Sequence, residues 1–195
     1  MGSFEEDDSN NNIDKSMRVD DKDIVETLKA CPENGFRMLM AKYQEAVYWH
    51  IRRLVVSHDD AQDASQETFV RIYRSFDQYR GDSSLRCWIY RIATNEALRI
   101  IGKRRQEVVS MEAETTGVAL LAADNYIDYG DKVAVKLQKA ILSLPPKQQL
   151  AFNMRYYDEL GFDEIARVAD STPTSIKACY HVAKEKIIKY MNSND

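Results

Sequence analysis

The chain has 195 residues, 44% of them hydrophobic, with 27 Lys and Arg against 31 Asp and Glu and a formal charge of −4. That apolar content supports a buried core and excludes a wholly disordered chain, while 7 Gly and 4 Pro are too few for the turns of an all-β protein. Cys31, Cys87 and Cys179 are odd in number and far apart, so they form neither a disulfide framework nor a CxxC pair and fit a reducing cytoplasm. No run approaches the ~18 apolar residues of a membrane span, and the acidic start lacks the basic-then-apolar order of a signal peptide. Secretion, membrane insertion and lipid anchoring are not expected.

Residues 1–23 carry eight acids and three bases, and the first twenty are mostly polar, so an acidic, disordered tail is expected there. Ile24, Val25 and Leu28 make a short amphipathic helix that stops near Cys31-Pro32. Phe36, Leu39, Met40, Tyr43, Val47, Ile51 and Leu54 recur at three- and four-residue steps and predict a long helix. Ser57-His58-Asp59-Asp60 is an N-cap cluster for the next one, which runs through Ala61, Ala64, Phe69, Ile72 and Phe76. Arg80 to Ser84 is a turn. Leu85, Trp88, Ile89, Ile92, Ala93 and Ala97 mark another helix, ending in Lys103-Arg104-Arg105. Residues 106–130 lack periodicity and read as a linker, acidic over 111–130 with four acids and no base. Beyond it, helices are predicted from Val133 to Leu144, Lys147 to Tyr157, Phe162 to Val168 and Pro173 to Met191. The expected architecture is all-α: two small helical domains, 24–105 and 131–191, on a flexible linker.

Charge is unevenly spread. Residues 77–110 carry a net +3 and residues 131–195 a net +2, so an acidic chain can still present basic surfaces. In the C-terminal unit, Ile165, Ala166 and Val168 turn inward on a short helix. A tight turn follows, and Ser171-Thr172-Pro173 caps the next helix with proline just inside its start. A small residue such as Ala166 suits two helices crossing steeply over a short turn, the helix-turn-helix pattern whose second helix enters the major groove. Its outward face presents Thr174, Ser175, Lys177, Ala178, His181 and Lys184. The lysines suit phosphates, while Ser175, Ala178 and His181 suit base edges. No Arg lies on this face, so weak, context-dependent duplex contact is expected. The alternative is an ordinary α-hairpin.

In the N-terminal unit, Gln62, Asp63, Gln66, Glu67, Arg71 and Arg74 form a polar stripe opposite Phe69, Ile72 and Phe76, a pattern that is usually a solvated face. Tyr79, Arg80, Trp88, Tyr90 and Arg91 interleave rings with guanidinium groups, as single-stranded nucleic acid requires, although Trp88 itself reads as core. Enzyme chemistry has little support: His50, His58 and His181 lack metal-ligand spacing, no phosphate loop or nucleophile elbow occurs, and Cys87 reads as an inert buried thiol. No catalytic residue, metal, cofactor or small-molecule substrate is expected.

Asp63-Ala64-Ser65-Gln66-Glu67-Thr68-Phe69, followed by Leu85-Arg86-Cys87-Trp88-Ile89-Tyr90-Arg91-Ile92-Ala93-Thr94-Asn95, resembles region two of the bacterial extracytoplasmic-function sigma factors. Leu144-Pro145-Pro146-Lys147-Gln148-Gln149, with Phe152, Arg155-Tyr156 and Phe162-Asp163-Glu164-Ile165-Ala166, resembles their region four. The resemblance implies a promoter-specificity subunit that recruits core RNA polymerase to promoter DNA, in the cytoplasm, often under an anti-sigma factor. It implies that Asp63, Gln66, Glu67 and Arg71 dock on the polymerase. It also implies that the loop holding Tyr79, Arg80 and Ser83 captures a flipped minus-ten base, and that Arg91, Asn95, Arg99, Lys103, Arg104 and Arg105 hold the melted strand. The helix from Thr174 to Lys184 corresponds to the reader of the minus-thirty-five element. Two rivals stand beside this reading: a free-standing helix-turn-helix regulator and a helical adaptor that binds only proteins.

Overall fold

The computed structural model describes residues 19–109 and 132–193, with side chains omitted for 104–109. Asp20 caps α1 (Asp21–Ala30), its side chain accepting from the Lys22 amide, and Asp21 and Asp23 lie in the positive first turn. Pro32 opens α2 (Pro32–Val55), a rod of about 36 Å. Gly35 lets α1 and α2 touch: a Cβ there would lie 2.3 Å from the Leu28 backbone nitrogen. Ser57 caps α3 (His58–Ser75) by accepting from the Asp60 amide, and a 3-10 turn, Phe76–Gln78, leads into the loop before α4 (Leu85–Val109). Ile24, Leu39, Val47, Ile51, Ala61, Ala64, Ile72, Leu85, Ile89 and Ala93 are buried together as the first core.

The second lobe comprises α5 (Lys132–Leu142), α6 (Pro146–Tyr156), α7 (Phe162–Val168) and α8 (Pro173–Asn192). Pro145-Pro146 ends one helix and starts the next, since proline cannot donate inside a helix but is tolerated in its first turn. Ala151, Met154, Leu160, Ile165, Ala166, Val168 and Ile176 form one buried cluster, and Ala140, Ile141, Leu144, Phe152, Ala183 and Ile187 another. No strand occurs among the described residues. The all-α, two-lobed architecture agrees with the sequence.

Two boundaries differ. Val19 to Asp23, expected in the tail, belong to the first lobe: Lys42 Nζ donates to the Val19 carbonyl and the Asp21 carboxylate, each at 2.7 Å, and Tyr43 donates to Asp21 at 2.6 Å. Acidity there serves a helix start, not solvation alone. The helix α4 continues to Val109, past the expected end at 105, because nothing between Gln106 and Val109 breaks it. The expected tail residues 1–18 and linker residues 110–130 lie outside the described residues.

The lobes are not held apart. α4 packs on α7 and α2 on α6, and Tyr90 of the first lobe sits in the second lobe's buried cluster.

Candidate nucleic-acid and polymerase interface

On α8, Ile176, Ala183 and Ile187 are buried, which turns Thr174, Ser175, Lys177, Ala178, His181 and Lys184 outward. All six are exposed on one continuous face. Thr172 caps the helix, its hydroxyl accepting from the Ser175 amide at 3.2 Å, and the preceding turn closes when the Ser171 amide donates to the Ala166 carbonyl at 2.9 Å. Ala166, 3% exposed, lies at the crossing that its small size permits.

On α4, Arg91, Asn95 and Arg99 are exposed at four-residue steps, one solvent-facing stripe, with Lys103 exposed a turn further on. Arg104 and Arg105 continue the helix. At its head the loop is braced. Tyr79 stacks on Phe76 with centroids 6.0 Å apart, leans on Trp88 at 5.4 Å, and donates its hydroxyl to the Ser83 carbonyl at 2.8 Å. Burial pushes the Tyr79 hydroxyl up from its ordinary pKa. Tyr79 therefore shapes the loop from below, while Arg80 is exposed at its rim and Ser83 is half-buried. Gly81, at φ +81°, takes the left-handed turn that a side chain would strain. Ser84 caps α4, accepting from the Cys87 amide at 3.2 Å.

On α3, Asp63 and Gln66 are exposed and Glu67 is half-buried. Gln66 also lines an apolar groove between α2 and α3, formed by Phe36, Met40, Phe69, Val70 and Tyr73 with Gln62 and Arg74 at its rim. Arg71 and Arg99 meet at a residue the sequence reading did not select. Glu96 is 1% exposed; one carboxylate oxygen forms an ion pair with Arg71 Nε at 2.7 Å and the other accepts from Arg99 Nε at 2.9 Å. These two arginines thus tie α3 to α4 around a buried carboxylate.

A second group that the sequence did not single out spans the lobes. Asp158, in the turn between α6 and α7, accepts at Oδ2 from His50 Nδ1 (2.6 Å) and at Oδ1 from Arg53 Nη1 (2.9 Å). Its backbone carbonyl accepts from Arg86. Thr94 donates its one hydroxyl proton to the Tyr90 carbonyl at 2.7 Å, so its oxygen accepts from His50 Nε2 at 2.9 Å. Both ring nitrogens of His50 are therefore engaged, one by each neighbour. Cys87 Sγ lies 3.5 Å from Glu164 Oε1, whose other oxygen accepts from the Gly161 amide at the start of α7. Burial first, and Glu164 beside it, hold the Cys87 thiol above its ordinary pKa, in keeping with the inert thiol expected. His50 entered the sequence reading only as a histidine without metal-ligand spacing. Among the described residues no cluster of three or more His, Cys, Asp or Glu side chains suits a metal ion.

A helix-turn-helix lobe and a four-helix lobe with a basic exposed stripe define a two-lobed, helical protein of the DNA-binding type. Residues 39–107 match the family model for sigma-70 region 2, and residues 134–187 that for sigma-70 region 4. The chain is 31% identical over 181 residues to the ECF RNA polymerase sigma-E factors of Salmonella typhimurium LT2 and Escherichia coli K12, covering 88% of this chain and 94% of each relative. It is 26% identical over 178 residues to the RNA polymerase sigma-H factor of Pseudomonas aeruginosa, covering 87% of this chain and 92% of that one. In fold it is similar to the sigma factor RpoE of Bartonella quintana, solved with the anti-sigma factor NepR (TM-score 0.68, 20% identity, 82% of this chain and 98% of that chain). It is likewise similar to CnrH, solved with the cytosolic domain of CnrY (TM-score 0.68, 15% identity, 90% and 99%). The chain belongs to the sigma-70 family, among the extracytoplasmic-function RNA polymerase sigma factors.

Proposed function

We propose that this sigma factor binds core RNA polymerase, directs it to promoters, melts the minus-ten element with its first lobe and reads the minus-thirty-five element with its second. The chain itself carries out no catalysis; the polymerase supplies the chemistry. The single observation that carries this division of labour is the pairing, in one chain, of the exposed Arg91–Asn95–Arg99 stripe with an exposed recognition face on α8. A duplex-binding regulator needs only the second. In the first lobe, the braced loop and the stripe beginning two turns along α4 form a track on which an unstacked base at the loop leaves its backbone beside Arg91 and Arg99.

Asp63, Gln66 and Glu67 on α3, with Gln66 lining the apolar groove between α2 and α3, are the proposed docking edge for the polymerase. A polar rim around an apolar centre is the usual anatomy of a protein interface. Arg71 contributes there through the position it gives α3 against Glu96. A sigma factor of like fold has been solved with an anti-sigma factor, and an anti-sigma partner is proposed here too. No helix among the described residues is long and apolar enough to cross a membrane, and we place the site of action in the cytoplasm with the polymerase.

Run-off transcription with purified core polymerase tests the reading. The chain is expected to confer a preference among promoter fragments; attachment without preference, or no attachment, refutes it. Asn95→Ala is expected to reduce permanganate reactivity of minus-ten thymines by roughly tenfold, the scale of one lost base contact of ~1–3 kcal/mol, with core binding retained.

A further inference from the structure

We propose that the His50–Arg53–Arg86 cluster, closed on Asp158, is a latch that holds the free chain in a shut form unable to engage both promoter elements at once. Three basic side chains of the first lobe converge on one residue of the second. The side chains of His50 and Asp158 are 1% and 3% exposed, and that of Arg53 is 15% exposed. Arg53 also lies over the Tyr157 ring at 4.4 Å, and Arg86 near the Tyr90 ring at 5.6 Å, so the cations are held by the surfaces they join.

Two promoter elements centred near −10 and −35 are roughly 25 base pairs apart, about 85 Å along a duplex rising ~3.4 Å per base pair. A compact body of about 150 residues has a radius of gyration of about 15 Å and is about 40 Å across. The packed lobes span less than half the distance, so they must part for both elements to be held. The apolar seat of Tyr90 alone would favour closure under all conditions. A buried carboxylate with charged partners behaves differently: it holds only while the set is complete, because removing one partner strands the others without solvent. The closed state is therefore conditional on Asp158.

The functional consequence rests on the promoter-binding reading above; the latch itself does not, and the experiment separates them. Small-angle scattering of the full chain gives the radius of gyration, and peptide-resolved alkylation gives the reactivity of Cys87, 2% exposed and facing Glu164 across the seam. Asp158→Asn is expected to shift the closed-to-open ratio by roughly a hundredfold, raising the radius of gyration and speeding Cys87 alkylation at least tenfold, with helical content unchanged. Arg53→Gln, which leaves the second lobe's sequence intact, is expected to act in the same direction and decides the matter if Asp158→Asn loses helix. An unchanged radius and an unchanged Cys87 rate in a folded variant of either kind overturn the latch. Variants that open are expected to associate with core polymerase several-fold faster. Opening without faster association overturns the inhibitory role but leaves the promoter-directed transcription test standing.

Discussion

Tyr43 and Tyr90 are buried hydroxyls whose ionisation the fold resists. Burial is the main cause at both: Tyr43 is raised further by the Asp21 carboxylate it donates to, and Tyr90 is pushed up to about 12. An unfolded tyrosine ionises near pH 10, so above that pH the unfolded chain has fewer bound protons than the folded one. Stability must then fall as pH rises from about 10 toward 12, and it is unaffected by these groups below that window. Denaturant midpoints taken at intervals from about pH 9 to about pH 11.5 are expected to decline, less steeply in Tyr90→Phe; equal slopes would reject the assignment. The exposed α8 residues proposed for recognition were legible at this scale because a capped helix with three buried positions leaves its other face to solvent. His50 was not. Its carboxylate partner lies 108 residues away, and no local spacing announces it.

Elements pack here by small residues at crossings. Gly35 lies where α2 passes α1, with a Cβ there meeting backbone atoms of Leu28 at 2.3 and 2.5 Å, and backbone cannot rotate aside. Gly35→Ala is expected to destabilise the first lobe by about 1–3 kcal/mol, as overpacking does, read as a lower thermal midpoint; an unchanged midpoint would show that α1 is free to shift. Helix existence was legible almost throughout, since caps at Ser57 and Thr172 and prolines at 32, 146 and 173 are chemical marks in the sequence. The end of α4 was harder. This helix is buried on two sides, Ile89 and Ala93 in the first core and Cys87 and Tyr90 toward the second lobe, so its apolar pattern does not describe a single stripe. The positions 87, 90 and 94 do recur at helical steps, and that second stripe was the available sign of a partner surface.

For the molecule as a whole, the docking edge proposed on α3 can be tested apart from DNA. Replacing Asp63 and Glu67 together with Ala is expected to weaken capture of core polymerase about tenfold without loss of helix, because Arg71 retains Glu96; undiminished capture would move the docking site elsewhere. Two lobes were legible from periodicity and from the break between them, but their mutual seating was not, since it depends on side chains drawn from both ends of the chain. One feature ties that seating to the face proposed to bind the melted strand. Arg91 and Asn95 each follow by a single residue Tyr90 and Thr94, which lie in the seam, so the two faces are set about 100° apart on one rod. Neither can be re-aimed alone: a rotation of α4 that loosens its grip on the neighbouring lobe turns the guanidinium and amide row through the same angle, as a key turns its bit.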